Sequence, residues 1–240
     1  MKKFRRRRIE SRRGTSLVEM IVAMVIFGIV TTMMVGVLSP AAKLFLRMER
    51  LQRAQIILDN TIQELYAMTE TATGYIKIYS VTEPAGASGA DKGPILEFLE
   101  QENYAVLVST EGCPETKIVV GGTEREMLEP VKAGRLLARY YYMDKSDKSY
   151  SYHDGSNAVA RAVARIFTDG YYMGNYLEIE FSFPGGVGNG NPVSYVNADV
   201  KLYDTDSDGN KTQLIVKENV VLNFRYAVVR NDGATAKSGP

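Results

Sequence analysis

The 240-residue chain has few of the side chains that carry covalent and metal chemistry: one cysteine, one histidine and no tryptophan. The single cysteine, Cys113, excludes a disulfide bond within the chain, so the fold has to be stabilised by its apolar core. We interpret Cys113 as a small buried side chain, the usual position of a cysteine outside disulfides. The single histidine, His153, lies in a polar stretch, which indicates an exposed loop.

Recognisable catalytic motifs are missing from the sequence as well. Ser88 lies in the sequence GASGA, which does not have the spacing of a nucleophile elbow. There is no glycine-rich phosphate loop and no paired metal-ligand motif. We therefore predict that the protein is not an enzyme and that, one calcium-like loop aside, it needs no cofactor.

The formal net charge of +1 conceals two oppositely charged parts of the chain. Residues 1–13 carry one acid, Glu10, and eight basic side chains: Lys2, Lys3, Arg5, Arg6, Arg7, Arg8, Arg12 and Arg13. The rest of the chain has 21 basic and 27 acidic residues, a net charge of −6. Basic runs bind the phosphates of nucleic acid, whereas an acidic surface is repelled by them. We therefore predict no nucleic-acid partner for the chain without its basic head.

A long apolar run follows the basic head. Residues 15–39 contain one charge, Glu19. About 20 apolar residues in a helix are enough to cross a bilayer, whereas the apolar part of a signal peptide is roughly 7–15 residues long. The basic head predicts a cytoplasmic N-terminus and an exported chain after about residue 40. Glu19 has either a function within the membrane or a place at the interface near the helix start, and the run alone leaves both interpretations open.

The junction between the basic head and the apolar run carries a family resemblance. The sequence RRG, followed by TSLVE and the continuous apolar run, resembles the prepilin signal of type IV pilins and type II secretion pseudopilins. In that family a membrane peptidase cuts after the glycine and methylates the new N-terminal residue. The resemblance implies a leader over residues 1–14, cleavage between Gly14 and Thr15, and methylation of Thr15. Glu19 would then pair with the N-terminal ammonium of a neighbouring subunit. This chain departs from the family at Thr15, where Phe is usual.

The resemblance also implies one long helix, with residues 15–40 in the membrane or the filament core and residues 41–73 as an amphipathic second half. Pro40 is expected to kink this helix and Gly74 to end it. We interpret the stripe in the second half as core packed on a sheet. Its members recur at spacings of four and three: Leu44, Met48, Leu51, Gln55, Leu58, Ile62 and Leu65.

From residue 74 onward the pattern changes to short β-rich runs separated by turn residues. We predict an exported domain over residues 74–240 and an α+β, pilin-like fold in which the long helix packs on an antiparallel sheet. Residues 157–167 suit a short helix or a strand, and we favour the extended conformation. The tyrosines at 140–142, 150 and 152, and 171–172 suit either the sheet or a contact surface, and we favour strand and core positions. Residues 83–93 and 184–192 are predicted loops. The predicted strands are 75–81, 95–99, 104–109, 117–120, 136–143, 176–183, 193–203 and 213–229.

Three acids at alternate positions, Asp204, Asp206 and Asp208, precede Gly209 in the last predicted hairpin. This spacing resembles the first half of a calcium-binding loop. The bidentate Glu of such a loop is missing, because Ile215 occupies its position. Asp-Gly is itself a strong turn signal, so an acidic hairpin turn without calcium is the alternative interpretation.

Together these features predict a structural minor pilin or minor pseudopilin. Without its leader the chain has 226 residues, 240 minus 14, which is larger than major subunits of the family usually are. The resemblance implies other pilins or pseudopilins, the prepilin peptidase, the assembly platform and the membrane as partners. Type IV pili, type II secretion systems and DNA-uptake pili all use such subunits.

Two alternatives from other classes remain at this point. The first is a single-pass membrane protein whose exported domain binds a ligand or a surface target outside any filament. The second is a secreted enzyme behind an ordinary signal peptide. The length of the apolar run and the missing catalytic motifs both disfavour the second.

Overall fold

The computed structural model describes most of the chain that follows the basic head. Gly14, Thr15, His153 and the tyrosines at 150 and 152 lie outside this part, so the predictions for them stay predictions. The described residues are 16–81, 87–100, 104–113, 117–120, 123–126, 130–142, 162–206 and 208–233.

The chain divides into two compact units, with the boundary between Arg50 and Leu51. One helix, α1 (Leu17–Glu70), is the only element of the first unit in the described residues and supplies the first element of the second. Pro40 lies inside the helix. The long helix predicted from the sequence is therefore confirmed.

The helix ends three residues earlier than residue 73, the last one predicted for it. Its last residue is Glu70, and both the backbone N–H and the hydroxyl of Thr71 donate to the carbonyl of Met68. Thr71 therefore satisfies a carbonyl that the end of a helix leaves without a partner. Gly74, the predicted stop, lies inside the first strand at φ 68°.

Most of the second unit consists of β-strands. Seven of the eight predicted strands match observed ones to within two residues at each end, and the first begins three residues earlier than predicted. The observed strands are β1 (Ala72–Tyr79), β2 (Lys92–Gly93), β3 (Ile95–Glu100), β4 (Tyr104–Ser109), β5 (Lys117–Val120), β6 (Thr123–Glu126), β7 (Leu137–Tyr142), β8 (Ala162–Arg165), β9 (Tyr176–Ser182), β10 (Pro192–Thr205) and β11 (Lys211–Arg230).

Nine strands form one sheet in the order β2-β9-β10-β11-β1-β3-β4-β7-β8, and β5 pairs with β6 separately. All neighbours pair antiparallel except β1 and β11, which run parallel with Gly74 opposite Val228 and Ile76 opposite Arg230. The α+β fold is thus confirmed, but a wholly antiparallel sheet was wrong at this one pair. The reason is topological. β11 follows β10 through a hairpin, so it runs antiparallel to β10 and in the same direction as β1.

Two short strands, β2 and β6, were not predicted, and a third, β8, was predicted only as an extended segment. β2 lies within the predicted loop 83–93, and β6 pairs with β5 as a hairpin. β8 confirms the extended conformation predicted for 157–167 over the part of that range that is described. Strands of two to four residues carry too few alternating positions to stand out in a sequence pattern.

The core of the second unit lies between α1 and one face of the sheet. The helix residues buried there are Ala54, Ile57, Leu58, Thr61, Ile62, Leu65 and Thr69. The predicted stripe is therefore confirmed at Leu58, Ile62 and Leu65. It was wrong at Leu44, Met48 and Leu51, whose side chains are 60%, 54% and 39% exposed. Burial along the helix begins only at Ala54. The four-and-three spacing of apolar residues therefore starts earlier in the helix than its contact with the core does.

Candidate assembly site at the N-terminal helix

The first two thirds of α1 expose apolar side chains around the whole helix. Large apolar residues between Leu17 and Leu51 are 39 to 77% exposed. In water this surface is unfavourable by roughly 25 cal/mol for each Å² of apolar area. Among the described residues, α1 is the one helix that is long and apolar enough to cross a membrane. An apolar environment outside the monomer is therefore needed to cover it.

The polar groups within this segment are arranged to suit such an environment. The hydroxyls of Thr31 and Thr32 donate to the carbonyls of Phe27 and Gly28, at 2.7 and 2.8 Å. A threonine hydroxyl bonded to the backbone one turn earlier does not need water as a partner. Both threonines are thus compatible with lipid or with a packed bundle of helices.

The start of α1 places Ser16 and Glu19 in direct contact. The backbone N–H of Ser16 donates to Oε2 of Glu19 at 2.9 Å, and the hydroxyl oxygen of Ser16 accepts from the N–H of Val18 at 3.3 Å. This reciprocal arrangement resembles a capping box, in which two side chains satisfy the first N–H groups of a helix. Glu19 therefore has a partner in its own chain before any contact with another subunit.

Comparison with known families bears on this same stretch. Residues 11–35 match the model of the family described as the prokaryotic N-terminal methylation motif. The match covers Gly14, Thr15 and Glu19, so the chain carries the signal of type IV pilins and pseudopilins. The motif implies processing by a prepilin peptidase and assembly with other pilins. Comparisons with curated proteins and with solved structures found no match.

The centre of the sheet contains a buried polar cluster that the sequence analysis missed. Lys77 on β1 and Glu97 on β3 are opposite each other in the register, and both are fully buried. The hydroxyls of Tyr75 and Tyr79 donate to the two carboxylate oxygens of Glu97, the first at 2.5 Å. The signal was available in the sequence, because Lys77 interrupts the run YIKIY and Glu97 interrupts the run ILEFL.

Lys77 connects this cluster to two other parts of the chain. Its Nζ donates to the carbonyls of Ala87 at 2.9 Å and Gly233 at 2.6 Å, and it lies 4.5 Å from the centre of the Tyr79 ring. Burial lowers the pKa of Lys77, and the negative charge of Glu97 opposes this shift. Through these two hydrogen bonds Lys77 holds the loop before β2 and the residues after β11 against the sheet.

A second charged cluster fastens the same region. The Arg230 guanidinium contacts Asp91 at 2.6 Å and Asp232 at 2.8 Å, and it donates to the carbonyl of Val187 at 2.6 Å. It lies against the ring of Phe183, at 4.5 Å, beside a cavity of about 420 Å³. The guanidinium at this cavity is held by two carboxylates and a backbone carbonyl, which indicates a structural role.

The acidic loop forms the turn between β10 and β11. Both carboxylate oxygens of Asp206 accept hydrogen bonds within the loop, from the backbone of Asp208 and from the backbone and side chain of Asn210. These bonds lower the pKa of Asp206. No group of three or more His, Cys, Asp or Glu side chains in the described part of the chain is placed to hold a metal ion. Calcium binding through Asp204, Asp206 and Asp208 stays a prediction, and the hairpin turn is observed.

The remaining candidates take up structural positions. Cys113 is 2% exposed, and its N–H donates to the carbonyl of Val131 at 2.9 Å, as expected for a small buried residue. Tyr141 and Tyr172 are buried, which confirms the core interpretation for them. The hydroxyl of Tyr172 accepts from the N–H of Leu136 at 2.9 Å, and burial raises the pKa of Tyr172 to about 12.

Proposed function

We propose that this protein is a structural subunit of a pilin-like filament, anchored in the membrane before assembly by its N-terminal helix. The single observation that carries the proposal is the prepilin signal at residues 11–35. The exposed apolar surface of α1 supports it, because a bundle of such helices would cover that surface in the filament as lipid covers it in the membrane. The exported domain would then project outward.

We further propose a minor subunit, present in few copies. The support is the size of the exported domain in a chain of 226 residues after the leader. A type IV pilus, a type II secretion filament and a DNA-uptake filament are equally compatible with this role. In each, the partners are other pilins or pseudopilins, the prepilin peptidase and the assembly platform.

Mass spectrometry of the mature N-terminus tests the class of protein. The chain is purified from cells with and without the prepilin peptidase. The expected product begins at methylated Thr15 and is absent without the peptidase. An intact leader in both strains would favour a membrane-anchored binding protein, and a peptidase-independent cut near Ser39 would favour a secreted one.

Glu19 is the residue through which assembly is tested. Glu19→Ala should leave membrane insertion intact and lower incorporation into filaments about tenfold, the equivalent of roughly 1.4 kcal/mol. Glu19→Gln is the matched control, because a glutamine oxygen still accepts the N–H of Ser16 while the charge is gone. If both variants assemble poorly, the charge is needed. Normal assembly of the glutamine variant would reduce the role of Glu19 to capping the helix.

A further inference from the structure

The cavity beside Arg230 has the size and the lining of a small-molecule site. It is called the distal cavity below, has a volume of about 420 Å³ and is lined by Asp91, Phe183, residues 184–188 and Arg230. Small-molecule sites have volumes of about 300–1,000 Å³ and combine apolar side chains with a few polar groups. The distal cavity has both kinds of lining, and its position and polar groups indicate what it can bind.

The distal cavity lies at the end of the second unit where α1 finishes. Lys217 of β11 contacts Asp59 of α1, and Arg225 contacts Glu70, the last residue of the helix, at 3.6 Å. β11 therefore runs along α1 toward the C-terminal end of the helix. Arg230 ends the strand five residues after Arg225. The cavity is thus away from the end at which α1 enters the second unit.

Asp91 is the accessible charged group of the distal cavity. Its side chain is 84% exposed, whereas that of Arg230 is 7% exposed. The guanidinium contacts the Asp91 carboxylate at 2.6 Å, and the backbone carbonyl of Asp91 accepts from the N–H of Phe183 at 3.0 Å. Both the side chain and the backbone of Asp91 are therefore held in place. A carboxylate held in this way is a preorganised acceptor for the donors of a ligand.

The glycine-rich loop between β9 and β10 supplies hydrogen-bond donors to the same cavity. The N–H groups of Gly185, Gly186 and Gly188 have no acceptor among the residues that the structure describes. A Cβ built on Gly185 or Gly186 would meet no atom within 4 Å, so the space on that side of the backbone is open. Because glycine has no side chain, a ligand can approach the backbone closely at these positions. The N–H of Gly190 donates to the carbonyl of Arg230 at 2.8 Å, which fixes the loop against β11.

These groups together fit a neutral ligand that carries several hydroxyl groups. An anion would be repelled by Asp91 and by Asp232, which also contacts Arg230. A cation would leave the glycine N–H groups without an acceptor. An extended peptide needs a free strand edge, but β9 is paired with β2 here, with Lys92 opposite Ser182. A hydroxyl group both donates and accepts, so it satisfies the carboxylate and the N–H groups alike.

We propose that the distal cavity binds a sugar. Hydroxyl groups of one pyranose ring donate to the Asp91 carboxylate and accept from the N–H groups of the glycine-rich loop. The C–H groups of the ring contact the half-buried side chains of Pro184 and Val187. Arg230 is a positioning residue, because it holds Asp91 without touching the ligand. The inference goes beyond the proposed function and does not depend on it, since every residue of the cavity belongs to one chain.

A ligand-observed NMR titration of the full-length protein tests the proposal. The protein is kept in an amine-oxide detergent, whose headgroup, unlike that of a maltoside, is not itself a sugar. The probes are the methyl pyranosides of glucose, galactose, mannose and N-acetylglucosamine. At least one of them should bind saturably with a Kd on the order of 1 mM, as expected for so small a ligand.

Three variants connect the binding to the cavity. Asp91→Asn should weaken it about tenfold, because the charged acceptor is lost. Asp169→Asn is the matched control and should bind as wild type does, because it removes a carboxylate that also contacts an arginine, Arg135 at 3.2 Å, but lies outside the cavity. Gly185→Val should fold, since a Cβ meets no atom there, and should weaken binding by narrowing the cavity. Denaturant midpoints measured in parallel show that each variant is folded.

Two further probes, glucuronate and a blocked trialanine, separate the alternatives. No saturable binding of any of the four pyranosides would overturn the sugar proposal, and so would unchanged binding in both Asp91→Asn and Gly185→Val. Binding of glucuronate without the neutral sugars would overturn it in favour of an anion site at Arg230. Binding of trialanine alone would overturn it in favour of a peptide site. All these results leave the proposed function untouched, because the mature N-terminus tests that function separately.

Discussion

The exposed part of α1 and the interior of the sheet invert the usual distribution of side chains. Between Leu17 and Leu51 apolar residues face outward on every side of the helix, whereas the centre of the sheet buries Lys77 and Glu97. A monomer in water would disfavour both arrangements. The interior resolves the difficulty itself, through hydrogen bonds from Tyr75 and Tyr79. The apolar surface of the helix needs the membrane or other subunits to cover it.

This difference teaches that the two regions meet different requirements. The buried Lys77 and Glu97 of the sheet have their hydrogen-bond partners within one chain. The exposed part of α1 is incomplete in one chain, and its environment supplies the missing contacts. Substitutions in the interior should therefore change the stability of the monomer, and substitutions in the exposed part should change membrane retention or assembly.

The largest effect is expected at the buried polar cluster. Glu97→Leu would remove the carboxylate that accepts from two tyrosine hydroxyls and one of the two negative charges that act on Lys77. We expect a loss of about 3–5 kcal/mol in the free energy of unfolding, measured by denaturant titration of the full-length protein in detergent. The double variant Lys77→Met with Glu97→Leu should lose less than the sum of the two single variants. Additive losses would mean that the two residues act independently.

A matched pair of leucines compares the two regions directly. Leu58→Ala removes a fully buried side chain and should cost about 2–5 kcal/mol of unfolding free energy. Leu44→Ala removes a side chain that is 60% exposed and should change stability by no more than about 0.5 kcal/mol. The same detergent titration measures both. Similar losses for the two leucines would show that the monomer covers the side chain of Leu44 after all.

A smaller effect than that of Glu97→Leu is expected from the pH dependence of Tyr172. Its pKa is raised from 10.0 to about 12 in the folded state, so its contribution to stability is complete below pH 10 and is lost as the pH rises toward 12. Between pH 9 and 12 wild type should lose about 2 kcal/mol more than Tyr172→Phe does. Parallel curves for the two proteins would contradict the buried neutral hydroxyl.

Much of this architecture could be predicted because its signals are local and repeated. The prepilin signal is contiguous, and long strands such as β10 alternate clearly between buried and exposed residues. The helical stripe was also visible, but its spacing could not show where the core begins. That boundary depends on how far the sheet extends along the helix, which is a tertiary property.

Other features depend on contacts between distant residues and left little trace in the pattern. Lys77 and Glu97 become partners only through the register of β1 with β3. The parallel pairing of β1 with β11 joins residues more than 150 positions apart. The end of α1 at Glu70 follows from the side chain of Thr71, a weaker signal than the glycine at position 74.

The position of β11 in the sheet has a consequence for how the protein is made. This last strand lies between β10 and β1, with three strands on one side of it and five on the other. Before the residues of β11 have been added, no strand pairing of the sheet joins the two groups of earlier strands. Folding of the sheet should therefore wait for nearly the whole chain, so the incomplete chain is the state most exposed to proteases and most in need of a chaperone.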